Sequence, residues 1–266
     1  MRGYFRDDSV IRRVGNESVL MLGGGRALLM QAAHPLVAAG IVDHSDHASD
    51  PLRRLVRTMG ALYTVVFGTR AEADAVAARV RAVHAHVRGE RDGVPYAATD
   101  PELALWVHAT LVDTGIVMHD RFVRPLDRRE RGEFYRQMKT VARVFGVPPA
   151  VLPPRYDDYE DYLLHQVTTL RVGDDALAVA RTVLDPAVPL AMRPAARAVV
   201  GLSMGLLPAP LREQYRLRWT PAHRAVLALS SESARRLVVP KRVRSVWSEA
   251  GRYGLPLRLL DALASL

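Results

Sequence analysis

The 266-residue chain contains no cysteine. That excludes disulfides, thiolate nucleophiles, zinc–thiolate centres and thiolate-ligated iron, so any metal must be held by nitrogen or oxygen. Lysine is nearly missing too: Lys139 and Lys241 are the only two, against 35 arginines. The net charge of +9 therefore reflects arginine used broadly in place of lysine. These arginines are spread through amphipathic segments rather than gathered in one run. Solvated helix faces account for them, and nucleic acid is not an expected partner.

Long apolar runs are also lacking. "ALLMQAAHPLVAAGIV" and "AVVGLSMGLLPAPL" fall short of the roughly 20 residues a membrane-spanning helix needs, and each contains proline. No transmembrane segment is expected. The start, "MRGYFRDDSVIRRVGNESV", mixes charges without the apolar stretch of an export signal, and the expected location is cytoplasmic. No serine is expected in the strand–turn–helix elbow of the serine hydrolases. Gly23, Gly24 and Gly25 match no nucleotide fingerprint, since no strand precedes them, and read as a flexible entry to a helix.

What remains is apolar content of 49%, ample for a core, arranged almost throughout with helical periodicity. Helices are expected near 9–20, 26–40, 51–68, 70–88, 101–122, 127–145, 157–171, 174–185, 190–206, 209–216, 221–234, 238–251 and 255–264. Asp-Pro pairs mark two helix starts, "SDPL" and "TDPE", and "RGERDGVPYAATD" reads as a turn-rich loop. Pro35 removes the N–H that would bond the carbonyl of Gln31, which predicts a kink there. The simplest account is one all-α domain over residues 1–266, a multi-helix globular fold with a second helical layer towards the C-terminus.

Nine histidines are present, and three of them, His34, His84 and His108, fall in helices among apolar neighbours. His108 is the sharpest case. It lies in "PELALWVHATLVDTGIVMHD" (101–120) with Ala104, Leu105, Leu111, Val112 and Gly115 around it, while Thr110, Asp113 and Thr114 occupy another face. A buried imidazole needs a partner. His44 and His47, with Asp43, Asp46 and Asp50 nearby, have the spacing of a divalent-metal site but read better as a solvated connection. The segment 51–68 carries an ordinary apolar stripe through Leu55, Met59, Leu62 and Val66. Its other side runs Arg54, Arg57, Thr58, Ala61, Val65, as if the helix were buried on both faces with the arginines at the mouth of a second, partly apolar space.

The ordered pieces "QAAHPLVAAGIVDHSDHASDPLRRLVRT", "VVFGT", "VHAHVRG", "GVPYAATDPELALWVHATLVDT" and "LREQYRLRWTPAHRAVLALS" resemble the MpaB and rubber-oxygenase (latex-clearing protein) family over roughly residues 10–240. The resemblance implies an all-α fold with a b-type haem between central helices, His108 as the proximal iron ligand, and small Ala104 and Gly115 leaving room for the macrocycle. It also implies that Arg54, Leu55, Val56, Arg57 and Thr58 correspond to the family's distal Arg-x-x-Lys-Thr segment. Arg54 and Thr58 match. Arg57 does not, since it replaces a lysine that can lose its proton with a side chain that stays charged. His34 is the second candidate for the iron.

The implied activity is that of a haem-b-dependent oxygenase acting with O₂ on an apolar, unsaturated isoprenoid- or lipid-like molecule, with Arg54, Arg57 and Thr58 on the oxygen side and Arg54 also a partner for a propionate. Two other classes are compatible with the sequence: a haem or apolar-ligand carrier without turnover, and a cofactor-free helical interaction protein. Nothing in the sequence specifies the oligomeric state.

Overall fold

The structure is a computed structural model describing residues 3–44, 51–186 and 188–236, with the side chains of 51–54, 230 and 233–236 outside the description. Among these residues the chain forms twelve α-helices: α1 (Val10–Gly15), α2 (Gly24–Ala32), α3 (Pro35–His44), α4 (Pro51–Phe67), α5 (Arg70–His84), α6 (Pro101–Phe122), α7 (Arg128–Val144), α8 (Tyr156–Thr169), α9 (Asp174–Leu184), α10 (Arg193–Leu206), α11 (Ala209–Gln214) and α12 (Pro221–Arg236). The fold is all-α. The helices expected at 238–251 and 255–264 lie outside the described residues.

Local chemistry sets the helix starts. Asp100 accepts from the N–H groups of Glu102 (2.8 Å) and Leu103 (3.2 Å), and Pro101 takes the first helical position, where its missing N–H leaves nothing unsatisfied. Thr69 with Glu72, and Asp127 with Glu130, close reciprocal capping boxes on α5 and α7.

Three expectations are corrected. The helix expected over 9–20 is α1 followed by a separate 3₁₀ turn over Ser18–Gly23. The helix expected over 26–40 is broken outright, with residues Ser18–Ala32 and α3 meeting at 114°. Pro35 starts α3, and the Gln31 carbonyl deprived of its usual donor accepts instead from Trp106 Nε1 (3.2 Å) and the His34 N–H (3.2 Å). Finally, the expected loop after α5 contains an antiparallel hairpin, β1 (Arg88–Arg91) and β2 (Val94–Ala97), registered Arg88 opposite Ala97 and Arg91 opposite Val94. Asp92 (φ 54°) and Gly93 (φ 77°) make its two-residue turn, the conformation an Asp-Gly pair favours.

α6 is the centre of the molecule. Thirteen of its residues are buried and they cover every side of the helix. It packs on α1, α2, α7, α12 and the 3₁₀ turn. Ala109, Val112 and Ile116 join a core built with α1, α4, α7 and α8. Trp106 joins another core in which α9 and α11 cover α2 and α3. The expected polar face of α6 is therefore covered as well, with Thr110 fully buried and Thr114 nearly so. No single helix among the described residues is long and apolar enough to cross a membrane.

Because Asp100 is the cap of this central helix, Asp100→Ala should lower stability by about 1 kcal/mol without changing helix content. Urea unfolding followed by circular dichroism measures it.

Candidate functional site

Burial around α6 sets one imidazole apart. The His108 side chain is 6% exposed, and its Nε2 has no hydrogen-bond partner among the described residues. Several other polar groups of α6 are answered. Asp113 and Thr114 receive Arg26, His119 Nδ1 pairs with the Arg124 carbonyl at 2.8 Å, and the Ala109 carbonyl takes a bond from the Tyr159 hydroxyl at 3.0 Å. Burial pulls the His108 pKa down to about 4, so at pH 7 the ring is neutral and carries one unprotonated nitrogen. Of the other two histidines singled out by pattern, His34 lies in the break between α2 and α3 rather than within a helix, with Nδ1 buried and likewise unpartnered among the described residues. Its pKa is also lowered by burial, against an opposing pull from Asp100. His84 is exposed.

One turn beyond His108, Leu111, Thr114 and Gly115 line a narrow cleft between α6, the Gly23–Gly24 corner and α4. Met59, Leu62, Tyr63 and Val66 supply the α4 wall. Tyr63 and Thr114 carry the only side-chain heteroatoms besides thioether sulfur in the lining. Burial, with the Glu17 carboxylate adding to it, pushes the Tyr63 phenol up to about 12, so Oη keeps its proton across the physiological range.

The cleft exists because of glycine. A Cβ on Gly23 would stand 2.7 Å from the Thr114 methyl and 2.9 Å from Met118 Cγ; one on Gly24 would stand 2.4 Å from Leu55 Cδ1; one on Gly115 would stand 3.0 Å from the Phe134 ring. Gly24 is right-handed helical, with φ −59°. The glycine run is thus a close-packing surface against α4 and α6, not the flexible helix entry expected from sequence.

The remaining sequence-predicted residues are placed differently. Arg57 and Thr58 are exposed and do not line the cleft. Arg54 belongs to α4, and its side chain lies outside the described residues. Ala61 is half-buried, and Val65 is sealed in the core with Val14, Val112 and Ile116, so the second apolar space expected beside Ala61 and Val65 is filled by protein. The cleft is on the opposite face of α4, along the stripe taken as ordinary core. Gly115 lines it, whereas Ala104 packs on the cluster of Leu105, Val147 and Leu152. Asp43, from the possible metal spacing, accepts from Tyr96 Oη at 2.6 Å and Arg91 Nη2 at 2.7 Å, and His44 sets its ring edge-on to Tyr96. Asp46, His47 and Asp50 lie outside the described residues. Sequence reasoning missed Arg26, which the structure buries completely, and Tyr63, hidden in an apolar stripe.

The model of the family described as ER-bound oxygenase mpaB/B'/rubber oxygenase, catalytic domain, matches residues 11–239. The chain belongs to this family. Membership puts it in the oxygenase class and agrees with the all-α fold around α6. Two relatives, uncharacterized proteins of Mycobacterium bovis and Mycobacterium tuberculosis, are each 27% identical over 206 residues, covering 73% of this chain and 79% of theirs. No solved structure matches the chain.

The depressed pKa of His108 has a thermodynamic consequence for folding. Unfolded imidazole takes a proton near pH 6.5 and the folded one resists until about pH 4, so the unfolded state holds more protons between these values. The contribution is present above pH 6.5 and is lost as the pH falls, to a limit of about 3 kcal/mol. His108→Leu removes both this loss and the orphaned atom, and should unfold with a weaker pH dependence. Urea titrations at pH 7 and pH 5 make the comparison; equal pH dependence in the two proteins would mean that water reaches the imidazole.

Proposed function

We propose that this protein is a haem-b-dependent oxygenase that acts with O₂ on an apolar, unsaturated substrate of isoprenoid or lipid type. The observation that carries the reading is His108 Nε2, a neutral imidazole nitrogen, buried on the central helix and without a partner among the described residues, one turn along α6 from Leu111 of the apolar cleft. A buried polar atom without a partner is costly to folding, and it persists where a ligand completes it.

The donor chemistry fits the group. A neutral imidazole nitrogen is a good ligand to haem iron, and His108 would hold the group through it. Among the described residues no cluster of three or more histidine, aspartate or glutamate side chains stands ready to hold a bare metal ion. Gly23, Gly24 and Gly115 keep the walls of the cleft free of side-chain bulk. Its volume is about 100 Å³, below the roughly 300–1,000 Å³ of ordinary ligand sites, so a macrocycle would enter only if the packed walls part. When bound, the haem supplies the oxygen activation needed for attack on a carbon–carbon double bond.

This chain's own residues have separate tasks. His108 would hold the iron. The apolar lining excludes water and takes up the substrate's hydrocarbon part. Tyr63 Oη, protonated up to about pH 12, offers a hydrogen-bond donor within an otherwise greasy wall. By the resemblance alone, Arg54, Arg57 and Thr58 would serve the oxygen side, with Arg54 also a partner for a propionate, although Arg57 and Thr58 stand exposed and outside the cleft lining. Arg57 remains a cation at every working pH and so donates hydrogen bonds without competing as a ligand. His34 would be the alternative residue to hold the iron.

Purified protein reconstituted with haem should take up one equivalent and show a Soret band. His108→Ala should keep its helical circular dichroism and lose stoichiometric haem, while His34→Ala should keep both. Full haem and an unchanged spectrum in His108→Ala would move the iron elsewhere.

Affinity for linear alkenes should rise by about 0.8 kcal/mol per methylene until the cleft is filled. Leu62→Gln should flatten that rise, read as ligand-induced Soret shifts. Equal affinity for short and long alkenes would exclude the cleft as the hydrocarbon site.

A further inference from the structure

Arg26 is a charged side chain with 2% of its surface exposed, two residues beyond the Gly23–Gly24 corner of the cleft. Its Nη2 meets Asp113 Oδ2 at 2.5 Å, its Nη1 donates to Thr114 Oγ1 at 2.7 Å, and its Nε donates to the Leu206 carbonyl at 2.7 Å. Asp113 itself is largely covered, with 18% of its side chain exposed. Three donors of one rigid, planar group are thus committed to α6 and to the last residue of α10, whose carbonyl has no partner within its own helix and suits a cation.

These partners are not remote from the cleft. Thr114 lines it, and so does Gly115, the next residue. With Oγ1 held by Arg26, the Thr114 methyl is turned towards Gly23, in contact close enough to forbid any side chain there. The bond to Asp113 fixes α6 against rotation about its own axis at a point five residues from His108. A lysine would place a point charge on Asp113 but lacks the fork that reaches Thr114 and Leu206 together.

From this geometry we infer that Arg26 is the positioning residue of the site: it fixes the Thr114 side chain and the rotational setting of α6, and through them the shape of the cleft and the direction of His108. The inference rests on the haem reading for its consequence and on the protein alone for its geometry, and the test separates the two. Arg26→Met is combined with Asp113→Leu so that no charge is left unpaired in the core, and Arg26→Lys and Thr114→Val are made alongside. In the haem-free proteins, three-bond couplings report the Thr114 χ1 rotamer; in the loaded proteins, transfer to a haem-scavenging apoprotein gives the rate of haem loss, and the ferric EPR spectrum reports the setting of the axial imidazole.

The wild type should show one Thr114 rotamer. The double variant should retain its helical circular dichroism, average Thr114 over rotamers, and lose haem about tenfold faster with a broadened ferric spectrum. Arg26→Lys should recover part of the haem retention. A single Thr114 rotamer together with wild-type haem loss in the double variant would overturn the inference and leave Arg26 a structural ion pair. Should the double variant fail to fold, Thr114→Val decides, since unchanged haem loss and EPR there would overturn it equally. A wild-type protein that takes up no haem would defeat the functional reading instead, and the Thr114 rotamer in Arg26→Lys would still judge the positioning role.

Discussion

Everything in this structure follows from burying one 22-residue helix on all sides. A helix in water can leave its polar side chains to the solvent; one wrapped by five other segments must find a protein partner for each, or carry the desolvation penalty. The partners arrive from far along the chain. Arg26 reaches Asp113 and Thr114 across 87 and 88 residues, and Tyr159 reaches the Ala109 carbonyl across 50. Trp106, from α6 itself, repairs the gap that Pro35 opens in α2. Against that background the unanswered nitrogen of His108 is conspicuous, and it is the feature on which the haem reading stands.

The cleft is the counterpart of this burial. Close approach of α2, α4 and α6 is possible only where one surface has no side chain, and Gly23, Gly24 and Gly115 provide that surface. Leu55, Thr114, Met118 and Phe134 fill the space the glycines leave. Such a seam is apolar and tight along the α4 side. The α6 side, by contrast, is tied through Arg26 to α10. The α6 wall is therefore anchored by directional bonds, while apolar contacts line the α4 wall.

Much of the architecture was legible along the chain because it depends on short-range chemistry. Asp100-Pro101, Thr69 with Glu72 and Asp127 with Glu130 mark helix starts through bonds made within a few residues, and 3.6-residue periodicity marks their lengths. The hairpin at 88–97 escaped because its four-residue strands are mostly exposed and show no apolar alternation, although the Asp92-Gly93 pair names its turn. The second face of α4 misled for the opposite reason. Ala61 and Val65 are apolar whether they line a cavity or fill a core, and periodicity does not distinguish the two. The glycine run was likewise ambiguous, since glycine serves equally for unusual φ and for close contact.

The sequence by itself determined that the chain is helical, that it has no thiolate chemistry, and that one histidine sits in the apolar stripe of its most strongly marked helix. Composition and local spacing suffice for these, because each concerns residues within a turn or two of one another. Only the tertiary structure decided that His108 Nε2 goes unpartnered among the described residues, that the cleft opens on the Met59, Leu62 and Tyr63 face of α4 and not the Val65 face, and that Arg26 is buried against Asp113. Those facts depend on which surfaces meet across 50 to 180 residues of chain, and a burial pattern read from one helix carries no information about what lies opposite.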